Sequence, residues 1–99
     1  MLSLESYKKD IETLCKNHKV EELYVFGSAT NETFNKNSDV DFLVKFKEFD
    51  LKYYFSNYSD FKSKLKKLLK REVDLLETQT LKNPYLINSI EKSKKLIYG

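Results

Sequence analysis

The sequence predicts an α/β (α+β) domain: a small mixed sheet of about three strands, covered by helices, in the order α-β-β-α-β-α. Three observations carry this expectation. A helical stripe runs through the middle of the chain, two short β-rich runs precede it, and a third follows it. With 99 residues and no linker or repeat, residues 1–99 are expected to form a single domain.

The elements follow from their periods. Leu4, Tyr7, Ile11, Leu14 and His18 recur every three or four positions, with Cys15 beside Leu14, as on a helix with one buried face. Leu23-Tyr24-Val25-Phe26 is a compact apolar run that stops at Gly27, which reads as a strand. Residues 28–38 are polar and read as a loop with one helical turn after Ser28. Asp39 to Phe46 reads as the second strand. Leu51, Tyr54, Phe55, Tyr58, Phe61, Leu65, Leu68 and Leu69 keep helical spacing and give the strongest periodic signal in the chain. Val73 to Leu76 reads as a third strand. From Pro84, the spacing of Leu86, Ile87, Ile90, Lys94 and Ile97 predicts a last helix.

Composition narrows the function classes. Hydrophobic residues are 40% of the chain and charged residues 33%, enough for a core under a strongly solvated exterior. Apolar runs are far shorter than the roughly 20 residues that span a bilayer, so no membrane segment is expected, and the amino terminus lacks the pattern of a secretory signal. One cysteine allows no internal disulfide, which fits a reducing cytoplasmic setting. A net charge of +3 is too mild to argue for nucleic acid.

The chemistry lies in three aspartates. Asp39 and Asp41, two apart on a strand, point to one face with about 7 Å between them along the backbone. Acids opening an otherwise apolar strand are costly unless partnered. Asp74 repeats the anomaly within Val73-Asp74-Leu75-Leu76. If the second and third strands are neighbours, these carboxylates make a hard oxygen site suited to Mg²⁺. Gly27-Ser28, immediately after a strand, adds a place where backbone and hydroxyl can meet a phosphate. A lone Asp-x-Asp is as readily a solvated strand end; its conjunction with the Gly-Ser turn and a third acid argues for a metal-assisted nucleotide site.

On these residues the chain resembles the minimal nucleotidyltransferases, relatives of DNA polymerase β. That family carries Gly-Ser, ten residues, then Asp-x-Asp; here Gly27-Ser28 is followed by residues 29–38 and Asp39-Val40-Asp41. Asp74 holds the place of the third family acid. The resemblance spans essentially the whole chain. It implies a polymerase β-like nucleotidyltransferase fold and a Mg²⁺-dependent transfer of AMP from ATP to a hydroxyl. Asp39, Asp41 and Asp74 would be catalytic and bind two metal ions, and Gly27 and Ser28 would steady the phosphates. Free-standing members resemble antitoxins paired with a helical HEPN-type toxin, so the acceptor implied is a tyrosine of such a toxin. An antitoxin acting by contact alone, and a transferase acting on a small molecule or RNA, are the alternatives. One departure stands out: Asn31-Glu32 occupies the place of the Arg-Gly common in relatives.

Other features have plainer readings. Lys62, Lys64, Lys66, Lys67, Lys70 and Arg71 interleave with the apolar stripe and read as a solvated helix face, so direct nucleic-acid binding is not expected. Cys15 reads as a small buried hydrophobe and His18 as a capping or core residue. Tyr53, Tyr85 and Tyr98 fall off the main stripes and point to a partner surface. Glu72 and Glu77 are the weaker substitutes for Asp74.

Overall fold

The computed structural model describes residues 2–99. A 3₁₀ turn over Glu5–Tyr7 leads into helix α1 (Lys8–Asn17), and strand β1 (Val20–Phe26) follows. After a second 3₁₀ turn at Gly27–Thr30 and the polar loop comes β2 (Val40–Phe46). Helix α2 (Tyr54–Leu69), β3 (Val73–Glu77), α3 (Pro84–Ser93) and β4 (Lys95–Tyr98) complete the chain. The expected order is present, with one strand more than the sequence suggested.

The sheet order is β3-β2-β1-β4. β1 runs antiparallel to β2 and to β4, while β2 and β3 are parallel, which makes the sheet mixed. The last helix is shorter than its period predicts. It ends at Ser93, Lys94 turns to extended backbone (φ −63°, ψ 142°), and Leu96 to Tyr98 pair with the open edge of β1. Ile97 therefore belongs to a strand, and its helical spacing from Ile90 and Lys94 is fortuitous. A β-rich triplet beside an unpaired strand gains a ladder of backbone hydrogen bonds that a frayed helix end cannot offer.

The strands alternate, and the two faces are covered unequally. Leu23, Val25, Val40, Phe42, Val44, Val73 and Leu75 pack against Ile11 and Cys15 of α1 and Phe61, Leu65 and Leu69 of α2. The opposite face carries the smaller cluster of Phe26 and Leu43, covered by Ile90 of α3. Cys15 is buried, as expected, and burial pushes its thiol pKa up to about 12, so it behaves as a small hydrophobe. His18 is both things the sequence suggested: it is the C-cap of α1 and it is buried.

The long stripe is helical, but its beginning faces outward. Leu51 and Phe55 are 84% and 78% exposed. Leu51 lies in a 3₁₀ turn, Leu51–Tyr53, whose three residues per turn break its phase with α2, and Phe55 lies one position off the inward line of Tyr54, Tyr58, Phe61 and Leu65. Tyr53 and Tyr85 are exposed, in keeping with a partner surface. Tyr98 is not: it pairs opposite Leu23 and packs against the core.

Candidate active site

The Gly-Ser turn and the three aspartates gather at one end of the sheet. Antiparallel pairing sets Phe26 opposite Asp41, and parallel pairing sets Asp41 opposite Asp74. The end of β1 and the beginnings of β2 and β3 therefore meet. Asp41 and Asp74 share the face of Phe26 and Leu43, the more thinly covered one. Asp74 is exposed and Asp41 half-buried.

Gly27 is required twice over. Its φ is +72°, a conformation that side chains rarely adopt, and a Cβ placed there would stand 2.7 Å from Asp41 Oδ2. The turn brings its own backbone directly against the carboxylate. It is held by Thr30 Oγ1 donating to the Gly27 carbonyl at 2.7 Å and by the Gly27 N–H donating to Ser93 Oγ at 3.1 Å. Asn31, in the place of the family arginine, spends its side-chain oxygen on Thr33, accepting from N at 2.9 Å and from Oγ1 at 2.6 Å. It caps a turn and brings no charge toward the acids.

The electrostatics of the acid pair are those of a site without a counter-ion. Asp41 is pushed up to about 6, first by burial, then by the charge of Asp74, by a hydrogen bond with Asp74, and by the charge of Asp39. All four causes act in one direction. Among the described residues, no ion pair joins Asp41 or Asp74 to a lysine, arginine or histidine. Tyr58 of α2 is also pushed up, by burial and then by Asp74, and its hydroxyl donates to the Leu75 carbonyl.

Asp39 stands further out. It lies just before β2, is exposed, and contributes the smallest of the four causes acting on Asp41. Among the described residues no three His, Cys, Asp or Glu side chains are already disposed to hold a metal ion. The structure thus brings together Asp41 and Asp74 beside Gly27, and leaves Asp39 at the rim. The two substitutes weighed for Asp74 are otherwise engaged. Glu72 is ion-paired with Lys66 at 3.0 Å, and Glu77 is buried on the α1–α2 face, accepting from the Gln79 N–H at 3.1 Å. Sequence reasoning gave Ser93 and Arg71 no role here; their contacts with backbone leave no period to detect.

Element order, mixed sheet and the glycine turn against an acid pair define the class: a polymerase β-like nucleotidyltransferase fold. Residues 8–99 match the family described as polymerase beta, nucleotidyltransferase, and the chain belongs to that family. It is 35% identical over 96 residues to a candidate protein adenylyltransferase of Methanocaldococcus jannaschii, covering 95% of this chain and 91% of that protein. A solved structure of a candidate minimal nucleotidyltransferase superposes with a TM-score of 0.76 at 26% identity, over 93% of this chain and 90% of that one. A tri-AMPylated HEPN toxin of Shewanella oneidensis in complex with its MNT antitoxin gives a TM-score of 0.68 at 20% identity, over 98% of this chain and 73% of that one, a likeness of fold. No helix of the described residues is long and apolar enough to cross a membrane.

Proposed function

We propose that this chain, acting as one domain, transfers AMP from ATP to a tyrosine hydroxyl of a HEPN-type toxin and thereby serves as its antitoxin. The observation that carries the reading is the uncompensated Asp41–Asp74 pair pressed against the Gly27 turn. A half-buried carboxylate raised by an adjacent acid and without a basic partner is poised for a divalent cation, which relieves the repulsion. The hard oxygens of the pair fit Mg²⁺, and Asp39 at the rim supplies a third ligand by turning inward. So held by Asp39, Asp41 and Asp74, two Mg²⁺ ions would supply positive charge at the α-phosphate and make the attacking hydroxyl more acidic.

The protein's own part is position. Gly27 admits the phosphates close to the backbone, and Ser28 offers them its hydroxyl. Because the Gly27 N–H already donates to Ser93, that turn is preset before the triphosphate arrives. The acceptor oxygen forms a bond to the α-phosphorus, the bond to the bridging oxygen breaks, and pyrophosphate leaves along the opposite direction. A protein acceptor is favoured by the name of the Methanocaldococcus relative, and a HEPN-type toxin by the Shewanella complex. The exposed apolar side chains of Leu51 and Phe55, at the start of α2, offer a docking area.

One observation supports the contact-only alternative: Asn31 is tied into a local turn where relatives place a cation. The two readings part in one experiment. The chain is mixed with a purified HEPN-type toxin and Mg-ATP, and intact masses are measured. Mass gains in whole AMP units on the toxin, absent with Asp41→Asn, are expected. Inhibition of the toxin without mass gain would establish the contact-only antitoxin instead.

A further inference from the structure

The segment between the Gly-Ser turn and β2, residues 29–38, is mostly polar and mostly exposed, yet it delivers Asp39 to the start of a strand. Only Ala29 and Phe34 tie this segment to the core, so the placement of the rest depends on hydrogen bonds. Many of these stay within the loop, and one side chain from outside it makes two more. Arg71 Nη1 donates to the Asn35 carbonyl at 3.0 Å and to the Ser38 carbonyl at 3.2 Å. Its guanidinium also stacks over the ring of Phe34, 4.5 Å from the centroid. Three loop positions, 34, 35 and 38, are thus held by a side chain that itself precedes β3 by two residues.

The other side of this clasp is backbone. Val40 N donates to the Glu72 carbonyl at 3.0 Å, and Val40 pairs with Val73. Asp39 lies between the Ser38 carbonyl, held by Arg71, and Val40, held by Glu72. Both anchors belong to the segment that goes on to carry Asp74. Lys36, Ser38, Asp39, Arg71 and Glu72 line one cleft.

Charge is not what Arg71 contributes to the acid pair. Every cause acting on Asp41 raises it, and none is basic. Among the described residues Arg71 makes no ion pair, and its Nη1 is turned to two carbonyls. A guanidinium that donates twice from Nη1 while laying its plane on the Phe34 ring suits this task, and the ammonium of a lysine lacks the flat face for that stacking.

We infer that Arg71 is a positioning residue that fixes the 34–38 loop so that Asp39 can join Asp41 and Asp74 around a divalent cation. The inference rests on the metal-site reading above and extends it to a residue outside the acid triad. Outer partners of metal ligands typically set affinity by about 10–100-fold.

The test is Mn²⁺ binding by the purified chain without nucleotide, the free ion being counted by electron paramagnetic resonance, for the parent, Arg71→Ala, Arg71→Lys and Asp39→Asn. Arg71→Ala should weaken binding about tenfold, in the range expected of such partners. Arg71→Lys should recover only part of that loss. Hydrogen exchange should speed up over residues 31–39 in Arg71→Ala while β1 and β3 stay protected, which separates loop release from general unfolding. Full recovery with lysine would overturn the inference, since charge alone would then suffice. Unchanged Mn²⁺ binding in Arg71→Ala, beside a clear loss in Asp39→Asn, would overturn it too. If Asp39→Asn itself binds like the parent, it is the assignment of Asp39 to the metal that fails.

Discussion

Two polar clusters lie on this small fold, and they solve opposite problems. At the His18 corner, the imidazole Nδ1 lies 2.7 Å from the Leu14 carbonyl and Nε2 lies 2.7 Å from Asp60 Oδ2. Its ring sits 5.4 Å from that of Phe61, and the backbone oxygen of His18 accepts from Asn57 Nδ2 at 2.8 Å. Lys64 reaches Asp60 at 3.0 Å, and Asp60 is held below the usual carboxylate range by His18 and then Lys64. At the other cluster, Asp41 has burial and two more acids, and moves the other way, to about 6. A cluster whose charges are answered internally joins α1 to α2. One whose charges are left unanswered waits for something from outside.

The sharpest way to break this contrast is to remove a carboxylate from the open cluster. Asp41→Asn or Asp74→Asn should lower AMP transfer on the order of 10²–10³-fold, the scale of losing one preorganised electrostatic partner, read as AMP-bearing toxin by intact mass. In chelator the same Asp41→Asn should raise the melting temperature, because one source of repulsion is gone. At the closed corner the signs reverse. His18→Ala should cost about 2–4 kcal/mol of stability, since it empties a buried site and strands its partners, measured by urea unfolding. Transfer activity should remain. Loss of activity in proportion to that destabilisation would mean the corner and the acid end are coupled.

A smaller effect comes from pH without metal. The folded-state pKa of Asp41 lies above its unfolded value, so the folded state binds the proton more tightly there. Stability should therefore rise as pH falls from about 7 through 6 toward 4, by a few degrees of melting temperature on the scale of a domain this size. Asp60, whose pKa is lowered, acts in the opposite sense: its contribution is present above the unfolded value and is lost at more acidic pH. A thermal scan across pH 4–7 with Asp41→Asn as control separates them; an identical slope in that variant would exclude Asp41 as the source. Finally, Mg-ATP should raise the melting temperature of the parent by mass action and leave Asp41→Asn nearly unmoved.

How much of this was legible in the sequence depends on the kind of interaction. Leu23, Val25 and Phe42 announced their strands through composition, and Phe61, Leu65 and Leu69 their helix through period, because burial selects apolar side chains at fixed intervals. The meeting of Asp41 with Asp74 followed once β2 and β3 were taken as neighbours. Residues 95–98 were not readable, since Ile90, Lys94 and Ile97 happen to keep helical spacing and only the open edge of β1 decides the matter. Nor were the roles of Ser93 and Arg71 visible. A side chain that donates to or accepts from distant backbone obeys no period, and its partner is set by topology alone.

That open edge has a consequence in time. Phe26 finds Asp41 fifteen positions along the chain, whereas Val25 finds Lys95 seventy positions along. Closing the longer loop costs about 1.4 kcal/mol more in chain entropy, so the β1–β2 hairpin forms first and the sheet grows outward from it. Until β4 arrives, β1 shows a row of unpaired backbone groups on one side, the surface through which partly folded chains stick to one another. The four residues of β4 thus cover the longer edge of β1 and leave in its place an edge only four residues long.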